Sequence, residues 1–315
     1  MNIIARALLL ILTTCPALSQ SVESEPRKSW GPIVLKEDDR PAFPPPPEGW
    51  DKRREGIPHG NLTMIEYDSK TVGTRRRMNV YTPPGYTPEK KLPVLYLLHG
   101  IGGDETEWDR FAHPDVLLDN LLADGKAVPM IVVMPNGRAQ KNDRPTGDVF
   151  KHAPAFAFFE HDLLDDVIPT IEARYAVQAD REHRALAGLS MGGGQALNFG
   201  LGHPLLFAWV GGFSSAPNTH KPAELLPNAN AAKHLHLLWL SCGSKDGLFS
   251  ISQDFHAWLK EQAVPHVWHV TDHEHDAPEW KQALYHFLQQ LTFSAVAPTG
   301  GEISPQNGGS SKIGK

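Results

Sequence analysis

Five short runs of apolar residues recur through the middle of the chain, and polar or amphipathic stretches separate them. The runs cover residues 92–98, 130–134, 184–188, 207–213 and 235–241. A continuous apolar run of this length is typical of a strand that is buried on both faces of a sheet. Helical spacing at 115–123 and 159–174 lies between these strands. The alternation predicts an α/β fold, with a mostly parallel central sheet and helices on both faces.

Further elements flank this central pattern. Two strands at 62–67 and 76–81 are predicted to be joined by a turn at Gly73, and a last strand is predicted at 266–270. We also predict helices from residue 190 to about 202, at 255–262 and at 278–291.

The two ends of the chain differ from this domain in composition. Residues 1–19 have one early positive charge, an apolar run and then small residues of the kind that precede a signal-peptidase cleavage site. This pattern predicts a signal peptide and a secreted or periplasmic protein. A lipoprotein acylated at Cys15 is the alternative. Residues 20–58 are rich in proline and predict a linker or a surface strap. The domain is then 59–294, and 295–315 is predicted to be a disordered tail.

Charge and cysteine content exclude several classes of function. The net charge of −6 provides no basic field for nucleic acid or anionic lipid, so we expect neither partner, and no membrane contact after signal removal. With Cys15 removed, Cys242 is the only cysteine and no internal disulfide forms. Cys242 lies in an apolar run, which predicts an inert buried thiol. The oligomeric state is left open.

The segment Gly188-Leu189-Ser190-Met191-Gly192 fits the pattern Gly-x-Ser-x-Gly. In hydrolases this pattern forms a sharp turn between a strand and a helix, where small flanking residues avoid collisions with neighbouring backbone. The dipole of the following helix points at the serine and at an oxyanion next to it. We therefore predict an α/β-hydrolase fold in which Ser190 is the nucleophile.

A serine hydroxyl becomes a good nucleophile only when a positioned base takes its proton and an acid orients that base. In this fold the three residues follow the order Ser, Asp or Glu, His, each after a strand. Asp246 follows the run 235–241 and His275 follows the strand 266–270, so we predict them as the acid and the base. His269 falls within the strand and His273 lies nearer its end.

The pair His273 and His275 also raises the question of a metal. Two histidines at i and i+2 share a face only on a strand, and no cysteine or third clustered ligand is evident. We expect no metal and no organic cofactor.

The oxyanion that forms during attack needs two backbone N–H donors. One follows the nucleophile, and the other comes from the loop after the third strand. The glycine-rich segment 98–103 occupies that position and allows a close approach to the substrate. We predict the N–H groups of Ile101 and Met191 as the donors.

Several segments together resemble carbohydrate esterase family 1, most closely the feruloyl esterase modules of bacterial xylanases and, more widely, esterase D-like α/β-hydrolases. The matching segments span nearly the whole domain and lie at 75–81, 97–105, 181–195, 215–219, 242–246, 275–276 and 280–284. The resemblance implies that Ser190, Asp246 and His275 are the catalytic residues, and it implies no cofactor. It also implies a small-molecule ester or an esterified polysaccharide as substrate. The chain departs from such modules at Asp272-His273-Glu274, where they tend to have glycines.

Aromatic side chains near the expected mouth could stack on a phenolic ring or a sugar. Five such residues are expected there, and we predict Trp108, Phe159 and Trp280 as substrate contacts, with Phe156 and Phe158 as further candidates.

The favoured function is hydrolysis of feruloyl esters on xylan through an acyl-enzyme. An acetylxylan esterase or a broad carboxylesterase is the alternative, since the triad chemistry does not depend on the acyl group. An acyltransferase, or a polysaccharide-binding domain without activity, is a further alternative.

Overall fold

Within residues 32–294, which the computed structural model describes, eight strands form one sheet. In chain order the strands are β1 (Asn61–Ser69), β2 (Thr74–Thr82), β3 (Val94–Leu98), β4 (Ile131–Pro135), β5 (Arg184–Leu189), β6 (Trp209–Phe213), β7 (Leu237–Gly243) and β8 (Val267–Thr271). The order across the sheet is β1-β2-β4-β3-β5-β6-β7-β8. β1, β2 and β4 pair antiparallel and all other neighbours pair parallel. The predicted α/β-hydrolase fold is confirmed.

The longer helices are α2 (Pro114–Ala123), α3 (Ala153–Asp162), α4 (Ile168–Arg174), α5 (Ser190–Gly202), α8 (Phe249–Glu261) and α9 (Ala277–Gln290). Short helices α1 (Glu107–Phe111), α6 (Pro222–Leu225) and α7 (Ala229–Ala232) lie in the connections. The helix predicted to start at Phe159 begins six residues earlier, at Ala153, because Pro154 favours a first helical turn there. A π-helical turn at Leu163–Val167 joins α3 to α4. None of the helices in residues 32–294 has the length and apolar character needed to cross a membrane.

The core consists of two apolar layers, one on each face of the sheet. Along β3 the side chains alternate: Val94, Tyr96 and Leu98 join one layer, while Leu95 and Leu97 join the other. Helices α3, α4, α5 and α8 cover the first layer, and α1, α2 and α9 cover the second. Burial on both faces explains why these strands are continuous apolar runs.

Residues 32–58 form no helix or strand and lie against the last strand and α9. The Val270 N–H donates to the Arg40 carbonyl oxygen (3.2 Å). Phe43 stacks on Trp239, with ring centroids 5.4 Å apart. We refer to residues 32–58 as the strap. The predicted signal peptide, the predicted tail and the beginning of the predicted linker lie outside the described residues.

Candidate active site

Ser190 occupies the sharp turn between β5 and α5. Its backbone has φ of +51°, the left-handed region that side chains rarely adopt. The turn leaves no room for flanking side chains: a Cβ on Gly188 would overlap the Gly192 carbonyl group, and a Cβ on Gly192 would lie 2.6 Å from the carbonyl oxygens of Leu98 and His99. Steric contact with the first turn of α5 therefore explains Gly188, and steric contact with the end of β3 explains Gly192.

The fold brings the three predicted catalytic residues together across large sequence separations. His275 Nε2 lies 2.9 Å from Ser190 Oγ, and His275 Nδ1 lies 2.7 Å from Asp246 Oδ2. Asp246 comes from the turn after β7, and His275 comes from the loop between β8 and α9. Both ring nitrogens of His275 are thus within hydrogen-bond distance of the other two predicted catalytic residues.

The environment of Asp246 keeps it ionised. Burial, the largest single influence, raises the pKa of this fully buried carboxyl. The hydrogen bond and charge of His275 and the hydrogen bond from the Leu248 N–H (2.7 Å) are among the contributions that together outweigh it. The net result is a pKa below the usual value. An ionised Asp246 accepts a hydrogen bond from the Nδ1–H of His275, which leaves Nε2 free to accept the proton of Ser190.

The loop after β3 passes beside the nucleophile. A Cβ on Gly100 would lie 3.5 Å from Ser190 Cβ. The Gly100 N–H already donates to Glu107 Oε2 (2.7 Å), while within the described residues no protein acceptor pairs with the Ile101 N–H. The Met191 N–H, in the first turn of α5, has no helical partner either. These two N–H groups are the ones predicted to bind the oxyanion.

Side chains that the sequence interpretation did not assign hold this loop in place. The Gly137 N–H donates to His99 Nε2 (2.8 Å), so the proton of His99 is on Nδ1 and is donated to the Gly100 carbonyl oxygen (2.7 Å). Burial lowers the pKa of His99, which keeps the ring neutral. The buried Arg138 guanidinium donates to the carbonyl oxygens of Ile101 and Gly103. A histidine directly after the strand was a visible signal for such a contact; Arg138 had none.

Two of the three predicted aromatic contacts are wrong. Trp108 is 1% exposed, since its indole packs under the sheet against Phe213 and donates from Nε1 to the Leu98 carbonyl oxygen. Phe159 is fully buried in the layer on the opposite face. The third, Trp280, is half-buried and meets His275 edge-on, with centroids 5.0 Å apart.

The two further aromatic candidates also differ in exposure. Phe156 is fully buried and meets the His99 ring edge-on at 5.7 Å, whereas Phe158 is 46% exposed and lies beside His161. Neither is therefore an exposed ring next to the nucleophile.

A small third apolar cluster lies next to the nucleophile. Its buried members are Phe156, Met191 and Ala216, and the Ala216 N–H donates to the Ser190 carbonyl oxygen (3.0 Å). Partly exposed apolar residues pack against them from three connections: Ile101, Ala153 and Leu248. We refer to these six residues as the apolar rim. It provides an apolar surface at the nucleophile that none of the predicted aromatics forms.

Two other buried groups lie close to the triad acid. Cys242 Sγ is 3.4 Å from Asp246 Oδ2, and burial raises the pKa of this thiol, so it stays protonated and inert as predicted. Glu279, in the first turn of α9, is fully buried and accepts a hydrogen bond from the Thr271 hydroxyl. Burial and the nearby charges of Asp246 and Asp276 raise the pKa of Glu279 to about 7. While Glu279 is protonated, no second negative charge lies near the ionised Asp246.

A serine in a strained strand-to-helix turn, hydrogen-bonded to a histidine that an ionised aspartate orients, defines a serine hydrolase of the α/β-hydrolase fold. Comparison with known families identifies the group within this class. The chain belongs to the putative esterase family, whose model matches residues 69–291.

Individual relatives agree with this assignment. The chain is 34% identical, over 244 residues, to an endo-1,4-β-xylanase/feruloyl esterase of Xylanibacter ruminicola, a match that covers 76% of this chain and 32% of the relative. It is 33% identical over 175 residues to an esterase of Mycobacterium tuberculosis, covering 55% of this chain and 34% of that protein. The chain thus spans about a third of the length of these curated relatives.

A solved structure shows the same relationship. The ferulic acid esterase of the anaerobic fungus Anaeromyces mucronatus, of carbohydrate esterase family 1, superposes with a TM-score of 0.69 at 26% identity. The match covers 78% of this chain and 95% of that one. The resemblance to carbohydrate esterase family 1 is confirmed.

Proposed function

We propose that the chain is a secreted serine esterase that hydrolyses feruloyl and related hydroxycinnamoyl esters on plant cell-wall xylan. The observation that carries the proposal is the hydrogen-bonded series Ser190, His275 and Asp246 next to an apolar rim. The relatives named as feruloyl esterases support the acyl group, and one of them is also a xylanase. The proposal that the chain is secreted is based on residues 1–19, which have the pattern of a signal peptide.

The reaction follows from the placement of the groups. Ser190 Oγ attacks the ester carbonyl carbon while its proton passes to His275 Nε2, and Asp246 stabilises the imidazolium that forms. The N–H groups of Ile101 and Met191 donate to the oxyanion of the tetrahedral intermediate. The intermediate collapses when His275 returns the proton to the leaving alcohol. Water then attacks the acyl-enzyme by the same route and releases the acid, and no cofactor takes part.

The apolar rim fits an aromatic acyl group. Ile101, Ala153 and Leu248 expose apolar surface beside Ser190, and burial of apolar area contributes about 25 cal/mol per Å². A planar hydroxycinnamoyl chain offers far more such area than an acetyl group. The rim therefore favours the feruloyl proposal over deacetylation.

The test compares kcat/KM on methyl ferulate and on acetylated xylan. We expect a clear preference for methyl ferulate; a preference for acetylated xylan would replace the proposal by an acetylxylan esterase. Ser190→Ala should lower kcat by more than about 10⁴-fold. Ser250→Ala, in α8 and outside the site, is the matched control and should keep full activity. Equal rates for wild type and Ser190→Ala would remove the proposed mechanism.

A further inference from the structure

The strap is anchored to the domain by specific polar and aromatic contacts. Asp39 Oδ1 accepts from Trp268 Nε1 (2.9 Å), and the Ala42 N–H donates to His269 Nδ1 (3.0 Å). The match to the family model begins only at residue 69, so the strap lies outside it. The strap therefore precedes the part of the chain that the family model matches.

The second half of the strap crosses the beginning of α9. Trp50 meets Tyr285 edge-on at 4.7 Å, and Asp51 forms an ion pair with Lys281 at 3.0 Å. Both charged side chains keep 21% of their surface exposed. Between strap and helix lies an open cavity of about 430 Å³, which we refer to as the strap pocket. This volume falls within the range of small-molecule sites, about 300–1,000 Å³.

The strap pocket lies on the His275 side of the active site. Its wall includes His273, two residues before His275, and Phe111, at the end of α1. The Trp280 ring connects the two places, since its centroid is 5.0 Å from that of His275 and 6.0 Å from that of Phe111. The indole ring of Trp280 therefore lies between the pocket and the catalytic base His275.

The mechanism indicates which part of the ester lies on the His275 side of the active site. His275 delivers a proton to the leaving oxygen, so the alcohol of the ester must extend from the His275 side. The acyl chain extends towards the apolar rim, whose residues come from other connections. In a feruloylated polysaccharide, the alcohol is a sugar.

The lining of the strap pocket fits a sugar. Trp50 and Phe111 are partly exposed aromatic rings, which suit the C–H faces of a pyranose or furanose. Asp51, Lys281 and Gln282 provide charged and amide groups for the hydroxyls. An apolar acyl chain would instead remove water from the Asp51–Lys281 ion pair without offering it any hydrogen bond.

The geometry points to the strap pocket, built from strap residues 46–51 and the start of α9, as the binding site for the carbohydrate alcohol of the ester. The ligand is a neutral, pentose-containing oligosaccharide. This inference rests on the proposed esterase function and adds the recognition of the alcohol to it.

The test uses the full chain with two substrates that share an acyl group, methyl ferulate and a feruloylated arabinoxylo-oligosaccharide. Lys281→Ala should lower kcat/KM on the oligosaccharide by about three- to tenfold, the effect of one or two lost hydrogen bonds. On methyl ferulate the same variant should stay within twofold of wild type. Lys260→Ala is the matched control, because Lys260 pairs with Asp38 of the strap but lies outside the pocket.

A direct measurement of oligosaccharide binding tests the pocket assignment separately from the proposed esterase function. Calorimetric titration of Ser190→Ala with the unesterified oligosaccharide should give saturable binding, and adding Lys281→Ala should weaken it by the same three- to tenfold. Equal effects on both substrates, or unchanged binding in the Lys281→Ala background, would overturn the pocket assignment. If wild type hydrolyses methyl ferulate in that case, the esterase proposal still stands. No turnover of either feruloyl ester would instead refute the proposed function.

Discussion

Replacement of Glu279 by Gln should stabilise the fold, and the gain should appear only as the pH rises. The carboxyl is fully buried, and its pKa rises from 4.5 to about 7 in the folded chain. Each pKa unit corresponds to about 1.36 kcal/mol, so the ionised form lowers the free energy of unfolding by about 3 kcal/mol. A Gln side chain is nearly the same size and never ionises.

The direction of the effect follows from proton binding in the two states. Below about pH 4.5 the carboxyl is protonated in both states, and its ionisation has no cost. Between about pH 4.5 and pH 7 the unfolded chain releases its proton first, so the wild-type fold loses stability as the pH rises. Above that window the penalty is constant. The advantage of Glu279→Gln over wild type should therefore grow by about 2–3 kcal/mol from pH 5 to pH 8.

Urea unfolding at pH 5 and pH 8 measures this difference directly. A constant offset between variant and wild type would report altered hydrogen bonding to Thr271, which does not depend on pH. Only the change in the difference between the two pH values tests the reasoning. Glu274→Gln, an exposed position before His275, is the matched control and should show no such change. A wild-type-minus-variant difference that is equal at both pH values would refute a buried, neutral Glu279.

Four further outcomes follow from the same contacts. Asp246→Asn should lower kcat by about 10⁴-fold with an unchanged melting temperature, because the proton of the histidine moves to the wrong nitrogen; a loss below tenfold in steady-state kinetics would contradict this role. Gly192→Ala should cost about 1–3 kcal/mol of unfolding free energy in urea, since its Cβ would lie 2.6 Å from two carbonyl oxygens. Phe159→Ala should lower the free energy of unfolding by about 3–5 kcal/mol without changing KM, whereas a raised KM with wild-type stability would show that Phe159 contacts the substrate. Burial lowers the pKa of His269 to about 3 and of His286 to about 4, so in the Glu279→Gln background, which lacks the opposing effect of Glu279, stability in urea should fall as the pH drops from about 6.5 towards 4; flat stability in that background would show that these rings are not buried neutral.

Much of the site could be predicted because its signals are local. The steric demand around Ser190 involves residues two positions away on either side, and the chain order of Asp246 and His275 follows from where strands end. The choice of His275 over His273 also needed only the distance from the end of the strand. Local spacing could not place the start of α3, where the predicted apolar stripe began six residues late.

The aromatic predictions failed for a different reason. Trp108 and Phe159 were expected near the mouth of the site, but the direction of a helical side chain depends on how its helix packs on the sheet. Both rings point into apolar layers that form only when distant strands pair. The sequence therefore carried no information about whether these rings are exposed.

The sequence by itself determined the layer architecture, the strained serine turn and the identity of the three predicted catalytic residues. Each of these depends on hydrophobic periodicity or on contacts between near neighbours. The tertiary structure alone decided that Ser190, His275 and Asp246 lie within hydrogen-bond distance and that Ile101 and Leu248 line the nucleophile. It also decided that Glu279 is buried near the triad acid and that the strap and α9 border an open pocket lined by His273. These features depend on how separate segments meet across the sheet, and no local pattern of residues specifies that meeting.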